Sequence, residues 1–410
     1  MALLVLKFGG TSVGDVERIK NAAAKVEAEV KRGHKVAVVV SAMAGVTDQL
    51  IGYCRSVSPY HDPREHDAVV STGEQITSGL MAMALKQRGL NARSWQGWQV
   101  PLKTDSTHSR ARIMDIAADN IRKQILDGEV GVMAGFQGIA PDSSITTLGR
   151  GGSDTSAVAL AIALKADRCD IYTDVDGVYT TDPRIDTKAS KIPRISYEEM
   201  LEMASRGAKV LQTRSVEMAM RYRMPVQVLS TFANAVGSEL PGTLVTDGDD
   251  TMEQNLVTGI AYTRDQAKVT LAKVSDQPGV AAAIFGPLSR AGINVDMIVQ
   301  TASDNNQTDI TFTIAKSDLD RTKQTLESEK AKIKFDHITA SSGVVKISII
   351  GGGMRSHAGV AATMFEVLAE KKINIQAIET SEIVLGVLIS EEYTELALRA
   401  LHTAYGLDAK

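Results

Sequence analysis

The sequence predicts an α/β protein: a doubly wound, mostly parallel sheet sandwiched by helices, followed by two small βαββαβ units. Three observations carry this prediction. Apolar strands alternate with amphipathic helices as far as about residue 246. A glycine pair within Lys7-Phe8-Gly9-Gly10-Thr11-Ser12 joins the first strand to the first helix. Further on, Gly279-Val280-Ala281 recurs as Gly359-Val360-Ala361, Phe285 as Phe365 and Ile293-Asn294 as Ile373-Asn374, at a constant offset of 80 residues. Such self-similarity marks a duplicated unit.

Taken in order, Leu3 to Leu6 is an apolar run that reads as a short buried strand. From Asp15 on, Val16, Ile19, Ala23, Val26 and Val30 recur at steps of three and four, one face of a helix ending at Gly33. Val36 to Val40 reads as a central strand ending at Ser41. Gly73 to Arg88 and Arg110 to Leu126 read as helices, the second closed by Gly128. Val130 to Ala134 is a strand, Ser153 to Ala166 a helix, and Cys169 to Thr173 a strand. Ser196 with Glu199 forms a capping box, and Pro225 to Leu229 and Thr243 to Val245 supply the last strands of this part. The polar, acidic stretch that follows marks a boundary, giving a first domain at 1–246, a linker at 247–254 and a second region at 255–410. There the first unit spans 265–341, with its last strand near Lys332 to Ile338. A spare strand, Leu256 to Tyr262, completes the second unit, so that the first (265–341) is inserted within the second (255–263 plus 342–410).

Hydrophobic residues at 44% and charged residues at 23% are those of a soluble globular chain. A net charge of −4, without any basic run, argues against nucleic acid or an anionic membrane as partner. No basic-then-apolar leader opens the chain, and no apolar run reaches membrane-spanning length. Cys54 and Cys169 lack metal-ligand spacing and fit a reducing cytoplasm.

Glycines let backbone N–H groups approach a ligand closely, and a helix start adds partial positive charge, so the 7–12 turn suits phosphate. It matches neither the P-loop nor the dinucleotide fingerprint, because the lysine precedes the glycines. A tight turn alone explains the glycines; a charged Lys7 at the carboxyl end of an apolar strand points to a site. Ser41 and Thr47 share that edge, although each alone reads as a cap or turn hydroxyl. Ser71 to Gln75 reads as another strand-to-helix junction, where Glu74 either serves the helix dipole or offers a carboxylate to an ammonium group. In Gly149-Arg150-Gly151-Gly152-Ser153-Asp154, Arg150 can grip a carboxylate in bidentate fashion, and Asp154 either caps a helix or holds a lysine. Turn chemistry explains the Asp-Gly of Thr173 to Tyr179 and the Asp-Pro before Arg184, but an acid, an aromatic and an arginine also suit a nucleotide. Lys209 is either a phosphate contact or a solvated helix residue.

Together, Lys7 to Ser12, Ser71 to Glu74, Gly149 to Asp154 and Tyr172 to Tyr179 resemble the motifs of the aspartate kinases of the amino acid kinase family. The repeat resembles their paired, ferredoxin-like ACT domains, and the chain resembles the monofunctional form. The resemblance implies the amino acid kinase fold and ATP-dependent phosphorylation of the aspartate β-carboxylate to 4-phospho-L-aspartate, the first step of lysine, threonine and methionine biosynthesis. It implies catalytic roles for Lys7 and Asp154. ATP would be held by Lys7, Phe8, Gly9, Gly10, Ser12, Thr173, Asp174, Tyr179, Arg184 and Lys209, with Mg2+ whose ligands no carboxylate cluster identifies. Aspartate would be held by Ser41, Thr47, Glu74, Arg150, Gly151, Gly152 and Ser153, with Glu74 on its ammonium and Arg150 on its α-carboxylate. A carboxylate nucleophile is already ionised, so no general base is needed.

The resemblance also implies inhibition by lysine, threonine or both, and a homodimer formed through the ACT units. Candidate effector contacts are Asp276, Gly279, Ile293, Asn294, Asp296 and Gln300 in the first copy, and Asn374, Ile375, Ser381 and Glu382 in the second. An internal start at Met252 would release both units as a small subunit. The rival readings are a glutamate or acetylglutamate kinase of the same fold, and a non-catalytic amino-acid sensor. Glu74 favours a substrate with a free ammonium group over an acylated one.

Overall fold

The computed structural model describes residues 1–208, 210–239, 241–248, 256–301, 305–356 and 359–408. The chain forms two compact units: Met1–Tyr179 with Lys191–Ser205 and Lys209–Asp250, and Thr180–Ser190 with Arg206–Ala208 and Thr251–Lys410.

The first unit runs β1 (Leu3–Phe8), α1 (Val16–Lys31), β2 (Lys35–Val40), α2 (Val46–Val57), α3 (Pro63–Val70), α4 (Thr72–Gln87), β3 (Ala92–Trp95), β4 (Leu102–Thr104) and β5 (Ile113–Ile116). It continues through α5 (Asp119–Leu126), β6 (Val130–Ala134), β7 (Gln137–Ile139), β8 (Ile145–Thr147), α6 (Gly152–Leu164), β9 (Arg168–Thr173), β10 (Val178–Tyr179) and β11 (Lys191–Ile192). It closes with β12 (Arg194–Ser196), α7 (Tyr197–Ser205), α8 (Thr213–Tyr222), β13 (Val226–Ser230) and β14 (Thr243–Thr246). Its main sheet has the order β12-β14-β13-β9-β1-β2-β6-β3, parallel throughout except where β14 returns against β13. β1 is central: Lys7 lies in register with Val39 of β2 on one side and Ile171 of β9 on the other. One face of the sheet packs Leu4, Leu6, Phe8 and Val38 against Ile19, Ala23 and Val26 of α1 and Met81 and Leu85 of α4. The Asp15 carboxylate caps α1 by accepting from the Arg18 amide at 2.8 Å. Because the chain leaves β1 toward β2 and later returns to its other flank as β9, the carboxyl end of β1 is a topological switch point. Ligands of open α/β sheets bind there.

Two sequence expectations fail in this unit. Arg110 to Leu126 is not one helix but β5 followed by α5, because Ile113 and Ile116 pack with Leu102 and Leu148 in a second, four-stranded sheet ordered β5-β4-β7-β8. A three-residue step between isoleucines fits a helix face equally well, and only the partner strand decides. Ser71 to Gln75 joins two helices, α3 and α4, not a strand to a helix.

The second unit contains β15 (Gly259–Ser275), α9 (Val280–Arg290), β16 (Val295–Gln300), β17 (Gln307–Ala315), α10 (Leu319–Ser328), α11 (Lys330–Ile333) and β18 (Ile338–Ile350). It ends with α12 (Gly359–Glu370), β19 (Ala377–Thr380), β20 (Val384–Ser390) and α13 (Thr394–Ala404). The six strands form one antiparallel sheet in the order β16-β17-β15-β18-β20-β19. The first half of β15 pairs with the second half of β18 (Gly259 with Ile350), and its second half with the first half of β18 (Leu271 with Ile338). Each repeat has its own core, one around Val269, Ile284 and Phe312, the other around Ile347, Met364 and Val387.

The spare strand is thus continuous with the next one. The strand placed near Lys332 begins only at Ile338, since Lys330–Ile333 is a helical turn that buries Ile333. β16 and β19 open two and four residues beyond Ile293 and Ile373, at Val295 and Ala377, because both isoleucines turn into the cores. Most of the linker, with Met252, lies outside the described residues.

Candidate active site

Burying a lysine requires a partner, and Lys7 has one. Its Nζ lies 2.5 Å from Oδ1 of Asp154, and both side chains are about nine-tenths buried. β1 delivers Lys7 and the first turn of α6 delivers Asp154. The chain beyond Lys7 hugs its neighbours. The Gly9 amide donates to the Tyr172 carbonyl at 3.2 Å and the Ser41 amide to the Phe8 carbonyl at 3.1 Å. A Cβ on Gly9 would sit 3.2 Å from Lys7 Nζ, and one on Gly10 would sit 3.1 Å from the Ala42 carbonyl oxygen. A side chain at either position would crowd its neighbour, so glycine keeps this turn open beside the Lys7 ammonium.

Glu74, in the first turn of α4, is buried beside this turn. One carboxylate oxygen accepts from the Ala42 amide at 3.0 Å, while the other has no partner among the described residues. Burial pushes this carboxyl up to about 7, against the Ala42 hydrogen bond that favours the charged form. A buried acceptor with a vacant lone pair suits a cationic donor from outside the chain. Across the same sheet edge, the Gly149–Gly152 turn starts α6. Gly151 takes φ +72°, and a Cβ there would fall 1.9 Å from Gln212 Cγ. A Cβ on Gly135, at the end of β6, would lie 3.1 Å from Ser153 Oγ, which ties Ser153 to that edge. Arg150 is exposed and forms no ion pair among the described residues. Ser41 and Thr47 are half-buried nearby in sequence, at the end of β2 and the start of α2.

The comparisons with known proteins bear on this arrangement. The amino acid kinase family profile matches residues 2–230, and the ACT domain profile matches 272–329 and 347–405. An aspartate kinase of Stutzerimonas stutzeri is 54% identical over 410 residues, spanning 100% of this chain and 98% of that protein. The aspartokinase of Pseudomonas aeruginosa is 53% identical over 411 residues with the same shares covered. The chain belongs to the aspartate kinases of the amino acid kinase family. Crystal structures of E. coli aspartokinase III share the fold over 98% of this chain at 28% identity. The TM-score is 0.82 for its complex with aspartate and ADP (R-state) and 0.75 for that with lysine and aspartate (T-state).

Not every predicted contact of the kinase is brought to the Lys7 edge. Phe8 is fully buried and stacks on Tyr172 at 4.9 Å, so only its backbone is available to a phosphate. The Ser12 hydroxyl is also turned inward, bonded to Thr231 Oγ1 at 2.6 Å and to the Tyr172 carbonyl. Thr173 Oγ1 donates to exposed Asp174 at 3.1 Å, and the Tyr179 hydroxyl donates to Asp176 at 2.9 Å. Arg184 belongs to the second unit, where it forms a bidentate pair with Asp182 and holds that carboxyl below its ordinary range. Lys209 lies outside the described residues.

Sequence reasoning missed the supports of the Gly149–Gly152 turn. Fully buried Asp67 accepts from the Thr147 amide and hydroxyl at 3.0 and 2.7 Å and from the Ser109 amide at 2.9 Å. Arg214 donates to the Leu148 and Ala111 carbonyls at 2.6 and 3.0 Å. Both are distant in sequence, so no local signal marks them.

Among the effector candidates, Asp276, Asn294, Gln300, Asn374 and Ser381 are exposed, and Gly279 starts α9 at φ +94°. Ile293 is core, so it offers an effector only its backbone. Asp296 is paired with buried Lys346, whose Nζ also lies 3.7 Å from Glu379, and so is not a vacant acceptor. Ile375 packs on the second core, Ser381 donates its amide to Val384 in a turn, and Glu382 has a partner of its own.

Proposed function

We propose that the chain transfers the γ-phosphoryl group of ATP to the β-carboxylate of aspartate, giving 4-phospho-L-aspartate and ADP and opening lysine, threonine and methionine biosynthesis. The observation that carries this is the Lys7–Asp154 pair in its glycine cradle, with a half-satisfied Glu74 at the same edge. An oxygen of the β-carboxylate attacks the γ-phosphorus as the bond to the bridging oxygen breaks, and the electron pair leaves on ADP. No proton needs to move. Lys7, aimed by Asp154, offsets charge on the transferring oxygens, and the Gly9–Gly10 turn, without side chains, lets them approach the backbone closely. Glu74 takes the substrate ammonium, Arg150 its α-carboxylate, and Thr47 and Ser153 the remaining polar atoms. Asp174, exposed at the end of β9, and Tyr179 serve the nucleotide. Mg2+ accompanies the ATP. The donor set fits an ion carried by the phosphates, with Asp174 an exposed carboxylate just past the end of β9.

The catalytic domain comprises 1–246 apart from Thr180–Ser190 and Arg206–Ala208, which group with the second unit, and the regulatory region comprises 255–410, with the unit at 265–341 inserted in its companion. Lysine, threonine or both act at the ACT units of a cytoplasmic homo-oligomer, and a small subunit starting at Met252 accompanies the full-length chain. Mass spectrometry of the natively expressed protein showing only full-length chains would remove the small subunit. The activity is tested by following ADP release with aspartate, glutamate and N-acetylglutamate. Aspartate should dominate, and a preference for the acylated amine would overturn the assignment of Glu74 and the substrate together. Arg150→Lys keeps the charge but loses the planar fork, so it should weaken aspartate binding and leave ATP binding nearly unchanged.

A further inference from the structure

A cluster far from Lys7 in sequence is left unused by this chemistry. Within the second unit, Asp186, His402 and Asp408 bring one donor atom each to within 4.8 Å of one another. His402, on α13, is fully buried. Its Nδ1 lies 3.0 Å from Asp408 Oδ1 and 3.5 Å from Asp186 Oδ2. Its other nitrogen, Nε2, is 2.8 Å from Thr180 Oγ1, which also accepts from the Ser190 amide at 3.0 Å. The remaining contacts are peripheral. Lys188 reaches Asp408 Oδ2 at 2.9 Å, Thr403 Oγ1 donates to Asp408, and the Lys188 amide donates to Asp186 Oδ1 at 3.0 Å.

Asp186 is 5% exposed, yet its Oδ2 accepts no hydrogen bond among the described residues and is aimed at the imidazole. Two carboxylates thus converge on one ring nitrogen, and Lys188 is the only lysine or arginine paired with either of them among the described residues. We propose that these three side chains form a transition-metal site of the zinc type, with Nδ1 of His402 and one oxygen each from Asp186 and Asp408 as ligands. Donors about 2.1 Å from a tetrahedral ion stand about 3.4 Å apart, which the two measured separations bracket. Imidazole beside carboxylates favours zinc-like ions over magnesium. Binding displaces the proton from Nδ1, leaving Nε2–H to donate to Thr180, the outer contact that usually fixes a ligating histidine. The partial exposure of Asp408 leaves a side open for a water as fourth ligand. The ion would fasten the segment Thr180–Ser190 to α13 and the residues after it.

The test uses full-length, chelator-treated, nucleotide-free protein and Co2+ as a spectroscopic stand-in for Zn2+. The expected result is one equivalent of Co2+ bound per chain, with the intense visible bands of four-coordination, reversed by Zn2+ and accompanied by a rise in Tm. Asp186→Asn and His402→Asn should abolish the bands. Should His402→Asn fail to fold, Asp408→Asn, at the more exposed ligand, should still weaken binding tenfold or more, and Thr180→Val should weaken it on the order of tenfold. No bands in the wild type, or bands unchanged in Asp186→Asn and Asp408→Asn, would reduce the cluster to a buried histidine held by hydrogen bonds.

Discussion

At the scale of single residues, two groups carry the sharpest consequences. Lys7→Met should lower turnover on the order of a thousandfold, because Lys7 is the only cation paired to Asp154 among the described residues. It also strands a buried carboxylate, so its Tm should fall; Lys7→Met with Asp154→Asn should recover Tm but not turnover. Turnover near normal in either folded variant would take Lys7 out of the reaction. Glu74 makes a pH prediction. Burial raises its carboxyl to about 7, so it is protonated below and ionised above that pH. Only the ionised form takes an ammonium ion, hence kcat/KM for aspartate should fall as pH drops through about 7, and Glu74→Gln should raise KM and flatten that limb. The stability sign runs the other way. A carboxyl that binds its proton more tightly folded than unfolded costs stability as pH rises from about 4.5 to 7, so Glu74→Gln should raise Tm at pH 8 but not at pH 4. Lys7, Asp154 and Glu74 were each legible in the sequence as charged residues at element ends. The vacancy at Glu74 was not, because it depends on where the Ala42 amide falls.

At the scale of elements, local chemistry was readable and distant pairing was not. The capping box is realised on both sides: Ser196 Oγ accepts from the Glu199 amide at 3.2 Å, and Glu199 accepts from the Ser196 amide and hydroxyl at 3.2 and 2.7 Å. Ser196→Ala should cost about 1 kcal/mol, measurable in urea melts. β5, by contrast, reads as helix because its isoleucine spacing fits both periods, and the sheet that decides is completed by β7 and β8 from later in the chain. The turn that starts α6 shows how an element can be specified by a residue far away. Gly151→Ala must strain a left-handed φ and displace Gln212, so aspartate KM should rise and stability should fall by roughly 1–3 kcal/mol. Gln212→Ala in the same background should relieve part of that loss, as a double-mutant cycle would read.

At the scale of the whole molecule, the duplication was visible as an offset, while the continuity of its strands was not, since nothing in Thr263 to Gln266 marks the passage from one repeat to the next. Control by effectors belongs here. An inhibitor acts only through tighter binding to the less active arrangement. Asp276→Ala and Ser381→Ala should therefore relieve inhibition by lysine or threonine while leaving uninhibited turnover unchanged. Titrating both amino acids, singly and together, checks this, and indifference to all three would leave the repeats without a regulatory part. The long strands β15 and β18 also govern how this half of the gene can be cut. The stretch 265–341 is contiguous, but its companion exists only as two pieces. Thr263 stands opposite Lys346 on the ladder, so a reverse turn replacing everything between them would run one strand directly into the other. Excision at that point would yield a hairpin-linked miniature of the outer repeat, whereas a stop codon between β15 and β18 would leave the first half of β15 without its ladder partner.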